Sequence, residues 1–138
     1  MRRRESRQLK GAARVVYAEL VQSAAAVGTL LHRGDWTHLV SAPRRTAWEA
    51  HAAVVVSALT PDEVGTIPRA YSALDDLVYV FRDERYVAQD DFEHARKQLL
   101  DVRAGLSVLA RLTGWKGGDV AKRDVVPALL AQLAPPKP

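Results

Sequence analysis

The sequence contains no cysteine, few aromatic residues and no long apolar run. The absence of cysteine excludes a disulfide framework, a thiolate metal site and a cysteine nucleophile. Aromatic residues make up only 7% of the chain while alanine is abundant, which indicates helices that pack closely through small side chains. No apolar run approaches the roughly 18 to 20 residues of a membrane span, and the amino terminus lacks the apolar segment of a signal peptide. We therefore expect a cytoplasmic protein.

The length and composition favour one globular domain. The chain has 138 residues, of which 48% are apolar, and a chain of this size buries about two-thirds of its unfolded surface. We expect a single domain over residues 1–134 and a disordered tail at 135–138. The excess of arginine over lysine and the abundance of alanine indicate a GC-rich coding sequence, which we take to be bacterial.

The clearest pattern is an apolar seam that ends just before Gly114. Its members recur at alternating spacings of three and four residues: Phe92, Ala95, Leu99, Val102, Leu106, Leu109 and Thr113. Gly114 can adopt the left-handed geometry that ends a helix. A period near 3.5 suits a helix that packs nearly parallel or antiparallel to other helices.

A second apolar stripe predicts a first helix from about Ser6 to about Leu31. Its positions are Leu9, Ala13, Val16, Leu20, Ala24, Val27 and Leu31. The next segment, residues 33–45, contains Gly34 and Pro43 and is predicted to be a loop.

A capping box predicts the start of the second helix. Thr46 is followed by Glu49, and in a capping box the hydroxyl and the carboxylate accept hydrogen bonds from the free amides of the first turn. The helix is predicted to run to about Leu59. The residues expected to be buried are Trp48, Ala52, Val55 and Leu59.

The start signal recurs at Thr60 and Glu63, with a proline between them, and predicts a third helix. Gly65 and Pro68 both fall in its first three turns, so we expect a kink or break near Ile67. Helical spacing then continues through Ala70, Tyr71, Leu74, Leu77, Val78 and Phe81. The end of this segment is also β-branched and aromatic enough to fit a strand, but its spacing favours a helix.

The fourth helix is the one that carries the seam, and Asp90 or Asp91 can cap its amino terminus. After it, residues 115–119 are predicted to be a loop, and a short final helix is expected from about Asp124 to Leu133. The predicted fold is all-α: an antiparallel four-helix bundle with a kinked third helix and a short C-terminal helix.

Basic and acidic residues are concentrated in different parts of the chain. Residues 1–14 contain one acidic residue, Glu5, and six basic ones: Arg2, Arg3, Arg4, Arg7, Lys10 and Arg14. Residues 75–93 contain seven acidic residues and two basic ones. If the helices alternate in direction, these two regions lie at opposite ends of the bundle and cannot neutralise each other within one subunit.

The basic start of the chain has three interpretations. It is a solvated helix end, a surface that contacts the phosphates of nucleic acid, or a surface attracted to an anionic membrane. The six basic residues are therefore candidate phosphate or anion contacts. Trp36 and Trp115, which lie in predicted loops, are candidate contacts for a protein partner.

The histidines and carboxylates do not form a convincing catalytic or metal site. A di-metal carboxylate bundle needs inward Glu residues and Glu-x-x-His pairs from facing helices. The nearest candidates are Asp91 with His94, Glu49 with His51, and Glu19. His94 falls between seam positions and is expected to point outward. We predict no catalytic residue, no metal site, no cofactor and no small-molecule substrate.

Several segments together resemble small, uncharacterised helical-bundle proteins of GC-rich bacteria. The resemblance rests on the arginine-rich start followed by Val16-Tyr17-Ala18-Glu19-Leu20, Arg45-Thr46-Ala47-Trp48 and Ala70-Tyr71-Ser72-Ala73-Leu74. It covers residues 5–112 and is structural, so it implies no active site. In some of those proteins a comparable module follows a single membrane span.

These observations favour a non-enzymatic helical module that binds proteins, including a second copy of itself. The alternatives are a nucleic-acid-binding accessory protein that uses the basic amino terminus, and a module attached to the surface of a membrane.

Overall fold

The computed structural model of the chain describes residues 3–33, 44–82 and 88–132. Within these ranges every regular element is a helix, so the all-α prediction is confirmed. In chain order the helices are α1 (Arg3–Arg33), α2 (Thr46–Val56), α3 (Thr66–Arg82), α4 (Ala88–Thr113), α5 (Gly117–Arg123) and α6 (Val126–Gln132).

Helix α4 follows its seam. The fully buried members are Ala95, Leu99, Val102, Leu106, Leu109 and Thr113. The side chain of Phe92 lies outside the described residues. The Thr113 hydroxyl donates a hydrogen bond to the Ala110 carbonyl oxygen at 2.8 Å, which satisfies this buried polar group. Gly114 has φ 75°, so the predicted helix end is confirmed.

Helix α1 is longer than the sequence predicted, because it begins at Arg3 and ends at Arg33. Arg3 and Arg4, which precede the predicted start, therefore belong to its first turn. The buried stripe is formed by Ala13, Val16, Leu20, Ala24 and Val27. Leu9 is half-buried, and the side chain of Leu31 lies outside the described residues.

Helices α3 and α4 make the most extensive helix–helix contact in the described part of the chain. A Cβ atom added to Gly105 would lie 2.6 Å from the Cβ of Ala70 and 3.2 Å from the carbonyl oxygen of Thr66. Real Cβ atoms do not approach to 2.6 Å, so α3 and α4 approach here at a distance that only glycine allows.

The two helices run in opposite directions along this contact. Near one end, the Gln98 amide donates a hydrogen bond to Asp76 at 2.9 Å. Near the other end, Arg111 forms an ion pair with Glu63, which precedes α3. Residues later in α3 therefore contact residues earlier in α4, as in an antiparallel pair.

Several predicted boundaries are wrong. Helix α3 begins at Thr66 after a series of turns over residues 61–65, so the interruption expected near Ile67 falls ahead of the helix. Pro68 then occupies the first turn, where an amide donor is not needed. Helix α5 occupies part of the segment predicted as a loop. The tail at 135–138 lies outside the described residues.

Candidate functional site

The candidate anion contacts line the first turns of α1. Arg3, Arg4 and Arg7 are exposed, while Arg2 lies outside the described residues. Lys10 is also exposed, and its side-chain carbons lie beside the Cα of Gly114. The backbone of these residues therefore belongs to the folded helix, which sets their spacing along it.

Arg14, the last of these cations, connects α1 to the end of α4. Its Nε donates a hydrogen bond to the carbonyl oxygen of Thr113 at 2.9 Å. A carbonyl in the last turn of a helix has no partner within that helix and carries the negative end of the helix dipole, so a guanidinium group there is stabilising. Arg14 thus has a structural role in addition to its charge.

The indole of Trp115, a candidate partner contact, is half-buried at the same junction. Its ring meets the ring of Tyr17 edge to face at a centroid distance of 5.4 Å. Two guanidinium groups lie over it, that of Arg123 at 4.3 Å and that of Arg14 at 5.7 Å from its centroid. Trp115 is therefore a packing centre for cations from α1 and α5. Trp36 lies outside the described residues.

A polar cluster that the sequence did not predict joins α1, α2 and α3. The Glu19 carboxylate accepts hydrogen bonds from the amide of Ala47 at 2.8 Å and the amide of Trp48 at 3.3 Å. It also accepts one from the Tyr71 hydroxyl at 2.8 Å. Glu19 therefore caps the amino terminus of α2 from a neighbouring helix.

This contact replaces the predicted capping box. The residue before α2 is Arg45, whose side chain makes no capping hydrogen bond, and Thr46 is the first residue of the helix. The free amides of the first turn bond instead to a carboxylate 28 residues earlier in the chain. The helix start was predicted at the right residue, but for the wrong reason.

Aromatic and charged groups enclose the Tyr71 end of the cluster. The rings of Trp48 and Tyr71 stack at a centroid distance of 6.4 Å. The guanidinium of Arg45 lies 5.7 Å from the centre of the Tyr71 ring and forms an ion pair with Asp75. Burial, and then the hydrogen bond to Glu19, raise the pKa of Tyr71 well above its usual range. The hydroxyl therefore stays protonated and acts as a donor.

The two acidic residues of α3 are paired within the subunit. Asp75 binds Arg45 as described, and Asp76 contacts both His94 and Gln98. Neither partner belongs to residues 1–14, so these contacts do not join the acidic region to the basic start of the chain. Residues 83–87 lie outside the described residues. Among the side chains that the structure describes, no group of three or more potential ligands could hold a metal ion.

Glu63 anchors the start of α3. Its carboxylate accepts a hydrogen bond from Arg111 at 2.8 Å and one from the amide of Thr60 at 3.0 Å, so this half of the second capping signal is confirmed. The bond from Arg111, followed by that from Thr60, lowers the pKa of Glu63 from 4.5 to about 2.

This lowered pKa predicts a pH-dependent contribution to stability. The contribution is present above the unfolded pKa and is lost as the pH falls through the folded pKa. We expect Glu63→Gln to lower the free energy of unfolding at pH 7, with a difference from wild type that shrinks between about pH 4.5 and about pH 2. Urea unfolding of both proteins at several pH values measures this difference in the free energy of unfolding. Glu49→Gln, a change at an exposed carboxylate, is the control, and equal effects of the two substitutions would contradict the assignment.

Helix α2 has an unusual surface. It packs chiefly on α1, and Val55 is its one fully buried residue. Most of its side chains are nevertheless apolar, and those only half-buried include Val54 and Val56. Its exposed residues are Thr46, Glu49, Ala50 and Ala53. A helix that is mostly apolar is normally covered over most of its surface.

No protein family, curated protein or solved structure matches this chain. Among the described residues, no helix combines the length and the apolarity needed to cross a bilayer. A function therefore has to be inferred from the surfaces of the molecule itself.

Proposed function

We propose that this protein is a non-enzymatic helical interaction module that binds a second copy of itself through α2. The observation that carries this proposal is the mismatch between the composition of α2 and its burial. Seven of its eleven residues are alanine or valine, yet it buries one residue fully. Covering its outer side with another apolar surface would remove that side from water.

We infer that α1 to α4 form an antiparallel four-helix bundle, with α5 and α6 as additions at its side. The reversed contact order between α3 and α4 supports this arrangement. Contact between Arg14, near the start of α1, and Thr113, at the end of α4, supports an antiparallel α1–α4 pair. In such a bundle α2 occupies a corner with α1 as its main neighbour, and no other helix of the described ranges packs on its outer row to the same extent.

The outer row of α2 suits a self-complementary contact. It consists of Thr46, Ala50, Ala53 and Ser57, spaced four, three and four residues apart and all exposed. None of these four residues is charged, and their small side chains allow a close helix–helix distance. The acidic groups nearest the row are Glu49, which is exposed on α2, and Glu5, which lines a groove with Ala53 and Ser57. A twofold symmetric pair needs only this one patch.

The polar cluster around Glu19 supports a structural rather than a catalytic role for the buried polar groups. All three of its hydrogen bonds join helices to one another.

We also propose that the module acts in the cytoplasm of a bacterium. This part of the proposal rests on the amino-acid composition.

Sedimentation equilibrium over a wide range of concentrations tests the proposal. We expect a reversible dimer that Ala53→Glu abolishes, because each dimer would then bury two carboxylates without partners. Ala104→Glu is the matched control, since Ala104 is an exposed alanine in the middle of α4. A wild-type protein that remains monomeric at every concentration would contradict the proposal.

A photo-crosslinking residue at position 53 locates the contact directly. We expect crosslinks between two chains from position 53 and none from position 104. Crosslinks from position 53 into residues 34–43 of the same chain would mean that the outer row is covered within the subunit, and the proposal would fail.

A further inference from the structure

We propose that a row of four cations on α1 binds the phosphate backbone of double-stranded nucleic acid. The row consists of Arg3, Arg7, Lys10 and Arg14, spaced four, three and four residues apart. On a helix of 3.6 residues per turn these side chains project within about 60° of one another and extend over about 16 Å. They form a straight line of positive charge.

The row is exposed, and its cations take part in no ion pair within the described residues. Glu5, the acidic residue among them in sequence, lies on another side of the helix, where it lines a groove with Val54 and Ser57. The positive potential of the row is therefore not cancelled locally.

The far end of the row is fixed in place. The hydrogen bond from Arg14 to Thr113 and the packing of Lys10 beside Gly114 attach the row to the end of α4. Beyond it, Trp115 carries the guanidinium of Arg123 at 4.3 Å, which extends the positive charge toward α5. At this end of the row a ligand therefore meets charges that are already ordered, and this lowers the entropy lost on binding.

A linear polyanion fits this shape better than a membrane or a single strand. The opposite side of α1 is buried in the protein core through Ala13 and Val16, so α1 has no free apolar face to enter lipid. Two guanidinium groups already lie over the indole of Trp115, so this ring does not offer an open platform for stacking an unpaired base. The row of cations therefore suits the regularly spaced phosphates of a duplex, and this contact does not depend on base sequence.

Fluorescence anisotropy with a duplex DNA of about 20 base pairs and mixed sequence tests the proposal. Four phosphate contacts predict a slope of about −4 in a plot of log K against log salt, with a Kd of about 1 to 100 µM near physiological salt. The triple variant R3Q/R7Q/K10Q is expected to weaken binding at least about 30-fold at about 100 mM salt and to reduce the slope to about −1. Arg14 is kept because it also supports the fold.

The control variant R96Q/K97Q/R103Q removes the same net charge from exposed positions on α4. We expect it to change the Kd by less than about threefold and to leave the slope unchanged, because these residues lie outside the row. Equal losses in the two variants would show an effect of net charge alone and would overturn the proposal. Absence of DNA binding, with binding only to vesicles of phosphatidylcholine and phosphatidylserine, would overturn it in favour of a membrane surface.

Discussion

Replacing Glu19 with alanine is expected to lower the free energy of unfolding by about 2 to 3 kcal/mol. The substitution leaves the first-turn amides of α2 at Ala47 and Trp48 without their acceptor. It also leaves the buried hydroxyl of Tyr71 without a partner. Because all three donors belong to helices other than α1, the loss should affect the attachment of α2 more than the helicity of α1.

Two further variants separate the parts of this effect. Tyr71→Phe removes only the hydroxyl and is expected to cost about 1 kcal/mol. Glu49→Ala removes an exposed carboxylate from the first turn of α2 itself and should cost less than about 0.5 kcal/mol. Urea unfolding followed by circular dichroism measures all three. A Glu19→Ala protein as stable as Glu49→Ala would show that the contact from α1 does not hold α2.

Replacing Gly105 with alanine is expected to destabilise the protein by about 2 kcal/mol, even though alanine favours helices more than glycine does. The new methyl group would lie 2.6 Å from the Cβ of Ala70. Since neither Cβ atom can rotate away, α3 and α4 must separate, and the buried contacts along both helices weaken.

Gly11→Ala is the matched control for this substitution. Gly11 lies inside α1, and an added Cβ would meet no atom within 4 Å. We expect it to raise stability by about 0.5 to 1 kcal/mol, because only the helix propensity changes there. Thermal unfolding of both variants gives the comparison, and a stabilised Gly105→Ala protein would contradict the close approach of α3 and α4.

Periodicity was sufficient to predict the long helices. The seam before Gly114 and the stripe of α1 each repeat over many turns, and burying such a pattern requires a helix at those positions. The left-handed Gly114 was predicted for the same reason, since the apolar pattern ends where the glycine begins. These features are encoded by residues close together in sequence.

The polar cluster could not be predicted, because its members are distant in sequence. Glu19 was noted as a carboxylate on a helix, but nothing near it indicated that it would cap α2. A local signature at Thr46 and Glu49 also explained that helix start, and the tertiary contact replaced it. Helix α5 was missed because Gly117 and Gly118 are typical of loops.

The candidate sites likewise combine features that the sequence predicts with features that depend on tertiary packing. The basic residues of the amino terminus were identified from composition, but the approach of Arg14 and Arg123 to each other depends on the position of Trp115 between them. The apolar surface of α2 could be identified only once its single main neighbour was known. The resemblance to bacterial helical-bundle proteins stays a prediction.

The contact between Arg14 and Thr113 joins residues 99 positions apart, and this separation has a consequence for synthesis on the ribosome. Helices α3 and α4 can pair soon after they emerge, because they are neighbours in the chain. Helix α1 can pair with α2 early, but the part of its apolar stripe that packs on α4 stays exposed to water and to other nascent chains until α4 has emerged. That part of α1 is thus exposed for longer than the part that packs on α2.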